Sequence, residues 1–412
     1  MQAGRNSRCL PMVKLLPCFW LGREIQSLSR LRGSTLSVKI LLDALQSTNQ
    51  SGTGSYATAL IKHLPTVMPD SKIFVACPEA ARDRWANAGL AGVLPCSSAR
   101  FPMGTIQRSA QMRAEIRRIC PDIVHYPANF VRWAGRGGVR ETKVVLTVHD
   151  LSFLRHPEWF RWERAAYYRA SIRPSVRLAD AIIADSEATA RDLESYLSLP
   201  RERISVVPLG VDGGLKPADA GAVKQARMKY GLPDRFFLYL GTIEPRKNLP
   251  RLIEAFDSIA ANTDLDLVIA GREGWKPEAT RRAHADAARR DRVHFPGFIA
   301  SEDMAAVLTA ARVFVWPSLW EGFGLPPLDA MACGTPVVTS NTSSLPEVTG
   351  DAALLVDPLD VAGISGAMKR AAEVEALRTK LRATGIVRAK QLTWRKTVEM
   401  TAAVYQRVVN NP

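Results

Sequence analysis

The sequence VFVWPSLWEGFGLPPLDAMACGTPVVT spans residues 313–339 and contains a complete strand, loop, helix and strand pattern. The apolar, β-branched and aromatic run 313–316 predicts a buried strand. Pro326 and Pro327 suit the first turn of a helix, because a backbone N–H is not needed there, and Gly334 suits its end. Residues 337–339 predict the next strand. Two buried strands joined by a helix are typical of a parallel sheet.

The same alternation extends outward from this stretch, from residue 37 to the C-terminus. The predicted strands are residues 38–42, 73–77, 123–126, 143–148, 181–184 and 204–207 in the first half, and 236–240, 267–270, 293–295, 313–316, 337–339 and 354–356 in the second. Glycines and prolines are concentrated in 210–234, which predicts a linker. We therefore predict an α/β fold with two Rossmann-like parallel-sheet domains, at 37–215 and 216–391, facing a central cleft. Residues 392–412 predict a terminal helix.

Composition limits the class of protein. The chain has 412 residues and a formal net charge of +15, and its apolar runs are too short to cross a bilayer. The six cysteines are scattered without a zinc-binding or disulfide pattern, which favours a reducing compartment. Such a basic chain suits anionic lipids, phosphorylated substrates or nucleic acid. Residues 1–36 are basic and unlike the rest, and we interpret them as a disordered extension or a mis-assigned start.

The loop 241–248, GTIEPRKN, follows a predicted strand and precedes a predicted helix. Asn248 is a suitable N-cap for that helix. Arg246 and Lys247 therefore lie at the mouth of a parallel sheet beside free helix N–H groups. Two cations next to such donors predict a diphosphate site.

Two carboxylates flank the corresponding loop after residues 313–316. Glu321 lies in the loop, and Asp329 lies about one turn inside the following helix. Carboxylates repel phosphate but accept hydrogen bonds from hydroxyl groups. The ligand consistent with both cations and both acids carries a sugar at one end, a diphosphate in the middle and a ribose at the other.

Two segments of the first half carry weaker signals. Residues 52–56, GTGSY, precede a helix predicted to open near Ala57, and Gly54 would permit close approach of a ligand. The same glycines are equally consistent with a tight turn that binds nothing. His149 ends the strand 143–148 and would face the cleft from the opposite wall, although a lone histidine is as consistent with a structural role.

The motifs 241–248, 296–298, 317–336 and 207–212 (VPLGVD) resemble those of glycosyltransferase family 4, which has the GT-B fold, over nearly all of residues 37–412. The resemblance implies a retaining, metal-independent enzyme that uses a nucleotide-diphosphate sugar as co-substrate and needs no other cofactor. In the family a glutamate is followed, after seven residues, by a second one. Here Glu321 would bind the donor sugar, and Asp329 would hold the ribose with a shorter side chain.

The same resemblance assigns further contacts. By analogy Arg246 and Lys247 neutralise the leaving diphosphate, and His149 meets the sugar. The remaining donor contacts implied by the resemblance are made by Gly54, Phe298, Ile299, Phe323, Gly324 and Leu325. The terminal helix would return to the first domain.

The wording around Glu321 is most similar to bacterial mannosyl- and rhamnosyltransferases of surface-polysaccharide assembly, which favours GDP-mannose over UDP- or dTDP-sugars. The implied acceptor is a glycan or a lipid-linked glycan, which fits a cytoplasmic protein in peripheral contact with an anionic inner membrane face. A nucleotide-sugar epimerase of similar fold is an alternative from another enzyme class. A nucleic-acid-binding protein has only the net charge in its favour.

Overall fold

The computed structural model describes residues 37–49, 51–96, 103–131 and 134–410. The predicted extension 1–36 lies outside these residues. The strands are β1 (Lys39–Asp43), β2 (Lys72–Pro78), β3 (Gly92–Cys96), β4 (Ile123–Tyr126), β5 (Lys143–Val148), β6 (Ala181–Ala184), β7 (Ile204–Val206), β8 (Phe236–Leu240), β9 (Asp266–Ala270), β10 (Val293–Gly297), β11 (Val313–Trp316), β12 (Val337–Ser340) and β13 (Ala353–Val356).

Helices connect these strands. The α-helices are α1 (Gly52–Val67), α2 (Arg82–Trp85), α3 (Met103–Ile119), α4 (Ser152–Arg155), α5 (Trp162–Leu178), α6 (Glu187–Leu197), α7 (Ala220–Tyr230), α8 (Leu249–Ala260), α9 (Glu278–Asp286), α10 (Met304–Ala310), α11 (Leu325–Ala332), α12 (Leu345–Thr349), α13 (Val361–Glu373), α14 (Glu375–Gln391) and α15 (Trp394–Asn410). Short 3-10 turns cover Glu79–Ala81, Pro157–Trp159, Arg201–Arg203, Pro245–Lys247, Arg290–Arg292 and Ser301–Asp303. None of the helices within the described ranges is long and apolar enough to cross a bilayer.

The strands form two parallel sheets, one in each half of the chain. In the described residues their orders are β3-β2-β1-β4-β5-β6-β7 and β10-β9-β8-β11-β12-β13, and every registered pair of strands is parallel. The strand order reverses between β1 and β4 in the first sheet and between β8 and β11 in the second. In such doubly wound sheets the ligand crevice lies at the carboxyl ends beside this switch point. The predicted fold class is confirmed.

Burial explains why these runs form central strands. Every residue of β4, β6, β11 and β12 is buried, as expected for parallel strands covered by helices on both faces. The sequence prediction missed β3 (GVLPC), which lies at the sheet edge and is mostly half-buried. Its glycine and proline are depleted in central strands but tolerated at an edge.

One further prediction of local structure was wrong in detail. Helix α1 begins at Gly52 rather than near Ala57, so the GTG sequence forms its first turn instead of a preceding loop. The stretch 210–234, predicted as a linker, contains α7. Asp219 caps this helix by accepting from Ala222 N, and Gly231 ends it in the left-handed conformation.

Helix α15 packs on the first half of the chain. Its Tyr405 hydroxyl lies 2.6 Å from His125 Nδ1 in β4, and Thr397 Oγ1 donates to the Pro208 carbonyl at 2.8 Å. A β-bridge joins Val211 to Thr393 immediately before the helix. The last helix therefore ties the end of the chain to the sheet that contains β1.

Candidate active site

The loop after β8 is held against the loops after β11 and β13. Asn248 occupies the N-cap position of α8, as predicted, but it adopts the left-handed conformation and its side chain does not cap the helix. Its amide instead donates to the carbonyls of Pro317 at 3.0 Å and Pro358 at 2.7 Å. This residue therefore connects three strand ends at the carboxyl edge of the second sheet.

A cluster of charged side chains lies on these loops. Lys247 Nζ is 2.6 Å from Glu321 Oε1, and Arg246 Nη1 is 2.7 Å from Glu321 Oε2. Arg246 Nε also donates to Glu244 Oε1 at 2.5 Å, and Trp316 Nε1 donates to Glu321 Oε1 at 3.0 Å. The structure thus brings together three predicted site residues, with Lys247 and Arg246 respectively 74 and 75 positions before Glu321 in the chain.

Burial and mutual attraction set the protonation of this cluster. The side chains of Glu321 and Lys247 are each 7% exposed. Burial alone would raise the pKa of Glu321, but Arg246 and Lys247 lower it to about 2. Burial also opposes the charge of Arg246, yet Glu321 and Glu244 raise its pKa overall. Burial and the neighbouring Arg246 lower the pKa of Lys247. With Glu321 ionised, the two cations are held in direct contact with a carboxylate.

The loop between Glu321 and α11 has a defined backbone path. Ser343 Oγ accepts from Glu321 N at 3.0 Å, and Ser344 Oγ donates to the carbonyls of Glu321 at 3.0 Å and Phe323 at 2.7 Å. Gly324 has φ of 108°, a conformation that favours glycine. Phe323 is buried and Leu325 is half-buried at the first turn of α11. The free N–H groups of this turn follow directly after the charged cluster.

Asp329 lies in the middle of α11 and is half-buried. Its burial and the nearby Asp212 raise its pKa to about 7. In the part of the chain that the structure describes, no side chain donates a hydrogen bond to this carboxylate. Asp329 is therefore available to accept hydrogen bonds from ligand hydroxyls.

His149 lies at the end of β5, and both of its ring nitrogens are engaged. Nδ1 is 2.6 Å from Asp185 Oδ2, and Nε2 donates to the Pro127 carbonyl at 3.0 Å. Burial opposes protonation, but Asp185 raises the pKa of His149 overall. The ring is thus held between a carboxylate and a backbone carbonyl of the same half. The His149 backbone lies against the second half, because a Cβ added at Gly322 would lie 2.0 Å from the His149 carbonyl oxygen.

The other predicted donor contacts are spread along the carboxyl edges. A Cβ at Gly54 would lie 1.8 Å from the Asn49 carbonyl oxygen, so its own preceding loop explains why glycine is needed there. It is Gly52 that faces the second half, with an added Cβ 3.3 Å from Leu325 Cδ1.

Phe298 and Ile299 follow β10. The Phe298 ring is 39% exposed and lies under the guanidinium of Arg272 at 4.1 Å, whereas Ile299 is buried.

Sequence reasoning missed several residues of this region. Glu244 belongs to the charged cluster, and Asp185 contacts His149. The contacts between the two halves include those of Ser186, Thr189 and Glu347, and a second set in which Trp275 and Lys276 donate to the carbonyls of Trp159 and Glu158. Asp185 and Ser186 directly follow β6, so the rule that function lies after strand ends would have found them. No group of three or more His, Cys, Asp or Glu side chains in the described ranges is placed to hold a metal ion.

Two Rossmann-like domains that meet at their carboxyl edges, with a charged cluster on the edge of the second, form the GT-B architecture. The family pattern described as Glycosyl transferases group 1 matches residues 224–388, and that of Glycosyltransferase Family 4 matches residues 50–213. The chain belongs to glycosyltransferase family 4.

Curated relatives support this assignment. The chain is 33% identical over 270 residues to O-antigen chain mannosyltransferase B of Escherichia coli, covering 65% of this chain and 71% of the relative. It is 30% identical over 319 residues to the serotype-specific mannosyltransferase WbdA of Escherichia coli, covering 72% of this chain but only 38% of WbdA.

A solved structure shows the same fold. HepE of Anabaena, crystallised in complex with UDP-glucose, superposes with a TM-score of 0.70 at 19% identity, covering 90% of this chain and 99% of HepE.

Proposed function

We propose that this glycosyltransferase moves a mannosyl residue from GDP-mannose to a glycan or lipid-linked acceptor in bacterial surface-polysaccharide biosynthesis, with retention and without a metal ion. The observation that carries the proposal is the contact of Arg246 and Lys247 with Glu321 at the carboxyl ends of β8 and β11. The named activities of the mannosyltransferase relatives support the choice of mannose.

The charged cluster suggests how a donor would bind. A diphosphate competes with Glu321 for Arg246 and Lys247, because both anions bind the same two cations. As the bond between the sugar and the diphosphate breaks, negative charge grows on the leaving group. The two cations and the free N–H groups at the start of α11 stabilise that charge in a site that excludes water.

Glu321 and Asp329 suit the hydroxyl-bearing ends of the donor. When a diphosphate takes over part of its cation contacts, the Glu321 carboxylate gains free lone pairs for sugar hydroxyls. Asp329 lies one to two turns along α11 and would accept from the ribose. In this proposal Glu321 is not a covalent nucleophile, because two cations stabilise its anion and reduce its nucleophilicity. Retention then follows from attack on the face that the diphosphate leaves, with the diphosphate accepting the acceptor's proton.

A donor panel tests the proposal. Thermal unfolding is followed with GDP-mannose, UDP-glucose and dTDP-rhamnose, because a bound donor raises the unfolding temperature by mass action. We expect the largest increase with GDP-mannose, and transfer of mannose with an α product and unchanged rate in EDTA. A larger increase with a UDP- or dTDP-sugar would overturn the donor assignment. Conversion of the donor into its epimer without an acceptor would identify an epimerase instead.

An arginine-rich surface supports peripheral contact with anionic lipid at the cytoplasmic face. Helix α5 presents exposed Arg169, Arg173 and Arg177 at helical spacing, and its first residue, Trp162, is 77% exposed. Such a basic surface with an aromatic side chain suits anionic headgroups. We expect sedimentation with phosphatidylglycerol vesicles that is lost in 0.5 M salt as screening predicts (about 4 Å Debye length). Equal binding to neutral vesicles would contradict the electrostatic origin, and equal binding to duplex DNA would contradict the lipid preference.

A further inference from the structure

Five residues follow β6 and include the first turn of α6: Asp185-Ser186-Glu187-Ala188-Thr189. They contact functional loops of both halves. We name residues 185–189 the coupling segment. Neither the charge cluster nor the donor assignment uses this segment. Its contacts run in two directions.

Toward its own half, the coupling segment holds His149 at two points. Asp185 Oδ2 contacts the His149 ring at 2.6 Å, and Thr189 Oγ1 donates to the His149 carbonyl at 3.0 Å. Asp185 is 2% exposed. The ring and the backbone of His149 are therefore fixed by the same short segment.

Toward the other half, the segment binds the residue that follows Glu321. Ser186 Oγ donates to the Gly322 carbonyl at 2.7 Å while accepting from Thr189 N at 3.1 Å as the N-cap of α6. Gly322 has no room for a side chain, because an added Cβ would lie 2.0 Å from the His149 carbonyl oxygen. The loops of His149 and Glu321 thus touch through their backbones, and the coupling segment bonds to both.

A carboxylate from the second half completes this contact. Glu347 in α12 accepts from the backbone N–H groups of Glu187 and Ala188, each at 3.0 Å. These are free donors in the first turn of α6, where the helix dipole favours a negative charge. Burial raises the pKa of Glu347, while the two N–H groups act in the opposite direction.

Glu347 is itself held in place from behind. Arg388 of α14 donates to the Glu347 carbonyl at 2.7 Å and to the Val348 carbonyl at 2.8 Å. Arg388 therefore anchors helix α12 to the second half, and Glu347 of this helix contacts α6. Such an anchored carboxylate can transmit the position of one half to the other.

We propose that Glu347 and the coupling segment form a closing contact of the cleft beside the active site, and that Glu347 and Ser186 are positioning residues that set the Glu321 loop against the His149 loop. The role in transfer rests on the proposed function, whereas the closing contact does not. Loss of the contact lets the halves separate, which admits water to the donor and misplaces the two loops.

Glu347→Gln tests this proposal, with Glu254→Gln, an exposed glutamate of α8, as the matched control. The glutamine keeps the side-chain volume but replaces one acceptor oxygen by an NH₂ group that faces a backbone N–H. We expect the turnover for transfer to fall by about 10-fold to 100-fold, since small misplacements have effects of this size. We also expect a larger share of donor hydrolysis and an increased radius of gyration in solution scattering, with GDP affinity changed less than twofold.

The closing contact and the donor assignment are tested by different measurements, so that either can fail without the other. An unchanged radius of gyration together with an unchanged ratio of hydrolysis to transfer would overturn the closing contact. If the wild type does not use GDP-mannose, the scattering comparison still tests the contact while the donor assignment fails. Thermal unfolding of Glu347→Gln is measured alongside, and Ser186→Ala serves as a second variant that removes the bond to Gly322 without changing charge.

Discussion

Along the second-half wall of the cleft, charged side chains from two strand ends contact one another, whereas along the first-half wall a single histidine is held by a carboxylate and a backbone carbonyl. Arg246, Lys247 and Glu321 all belong to the second half and contact one another directly. The position of His149 relative to them depends on contacts between the halves. One wall is therefore complete on its own, and the other acquires its place only when the cleft closes.

The largest expected effect comes from removing both cations of the second-half wall. With Arg246→Ala and Lys247→Ala combined, we expect transfer to fall by about 1000-fold or more, because two groups that stabilise the leaving diphosphate are lost. The steady-state rate of sugar transfer measures the effect. The matched control is Arg395→Ala with Lys396→Ala, an exposed Arg-Lys pair in α15. Transfer at the wild-type rate would show that this wall does not carry the chemistry.

A smaller effect is expected from Glu321→Gln, which separates sugar binding from diphosphate binding. The glutamine leaves Arg246 and Lys247 without a carboxylate between them, so GDP should bind as tightly as before or more tightly. Transfer should still fall by about 100-fold, because the sugar loses a charged acceptor. Calorimetry with GDP and the transfer assay give the two values. Weaker GDP binding together with normal transfer would show that Glu321 supports binding of the diphosphate and not transfer of the sugar.

Much of the second-half wall could be predicted because its signals are local. Strands β8 and β11 have the predicted bounds, and the rule that ligands bind after strand ends selected Arg246, Lys247 and Glu321. The ion pairs between them could not be predicted, since they join residues more than seventy positions apart. Glu244 was missed although its partner Arg246 is only two positions away.

The first-half wall was less predictable because its contacts are mostly non-local. Ser186 and Gly322 are 136 positions apart, and Glu187 and Glu347 are 160 apart. Only the assembled sheets bring them together. The glycine at position 54 has a local explanation in the carbonyl of Asn49, and the donor contact assigned to Gly54 stays a prediction. A glycine indicates that another group lies close to its backbone, but the sequence alone does not identify that group.

Asp329→Asn gives a third, moderate effect and sharpens the account of the second-half wall. Because folding raises the pKa of Asp329 from 3.8 to about 7, its favourable contribution is complete below pH 3.8 and is lost as the pH rises through 7. Without donor, the asparagine variant should therefore gain stability over wild type by about 2 kcal/mol more at pH 8 than at pH 5. Urea unfolding at both values measures this, with exposed Asp351→Asn as the control. A pH-independent difference would contradict the burial of this carboxylate.

Tyr405→Phe is expected to give the smallest effect, and it tests the buried hydrogen bond between Tyr405 and His125 behind the first-half wall. His125 is fully buried between the Tyr405 hydroxyl at 2.6 Å and Thr147 Oγ1 at 2.8 Å, and burial lowers its pKa to about 3. The ring is therefore neutral at pH 7, and removing the Tyr405 hydroxyl leaves its Nδ1 without a partner. We expect the free energy of unfolding to fall by about 1 to 2 kcal/mol, the cost of one unsatisfied buried polar group.

The contact between the two rings survives this substitution, so the effect isolates the hydrogen bond. Tyr167→Phe, which removes a hydroxyl from a tyrosine that is 42% exposed on α5, is the matched control and should change the unfolding free energy by less than about 0.5 kcal/mol. Since Tyr405 lies on the terminal helix, a real loss would show that this helix supports the β4–β5 region from which His149 projects. If both variants unfold at the same urea concentration, that support does not come from the Tyr405 hydroxyl.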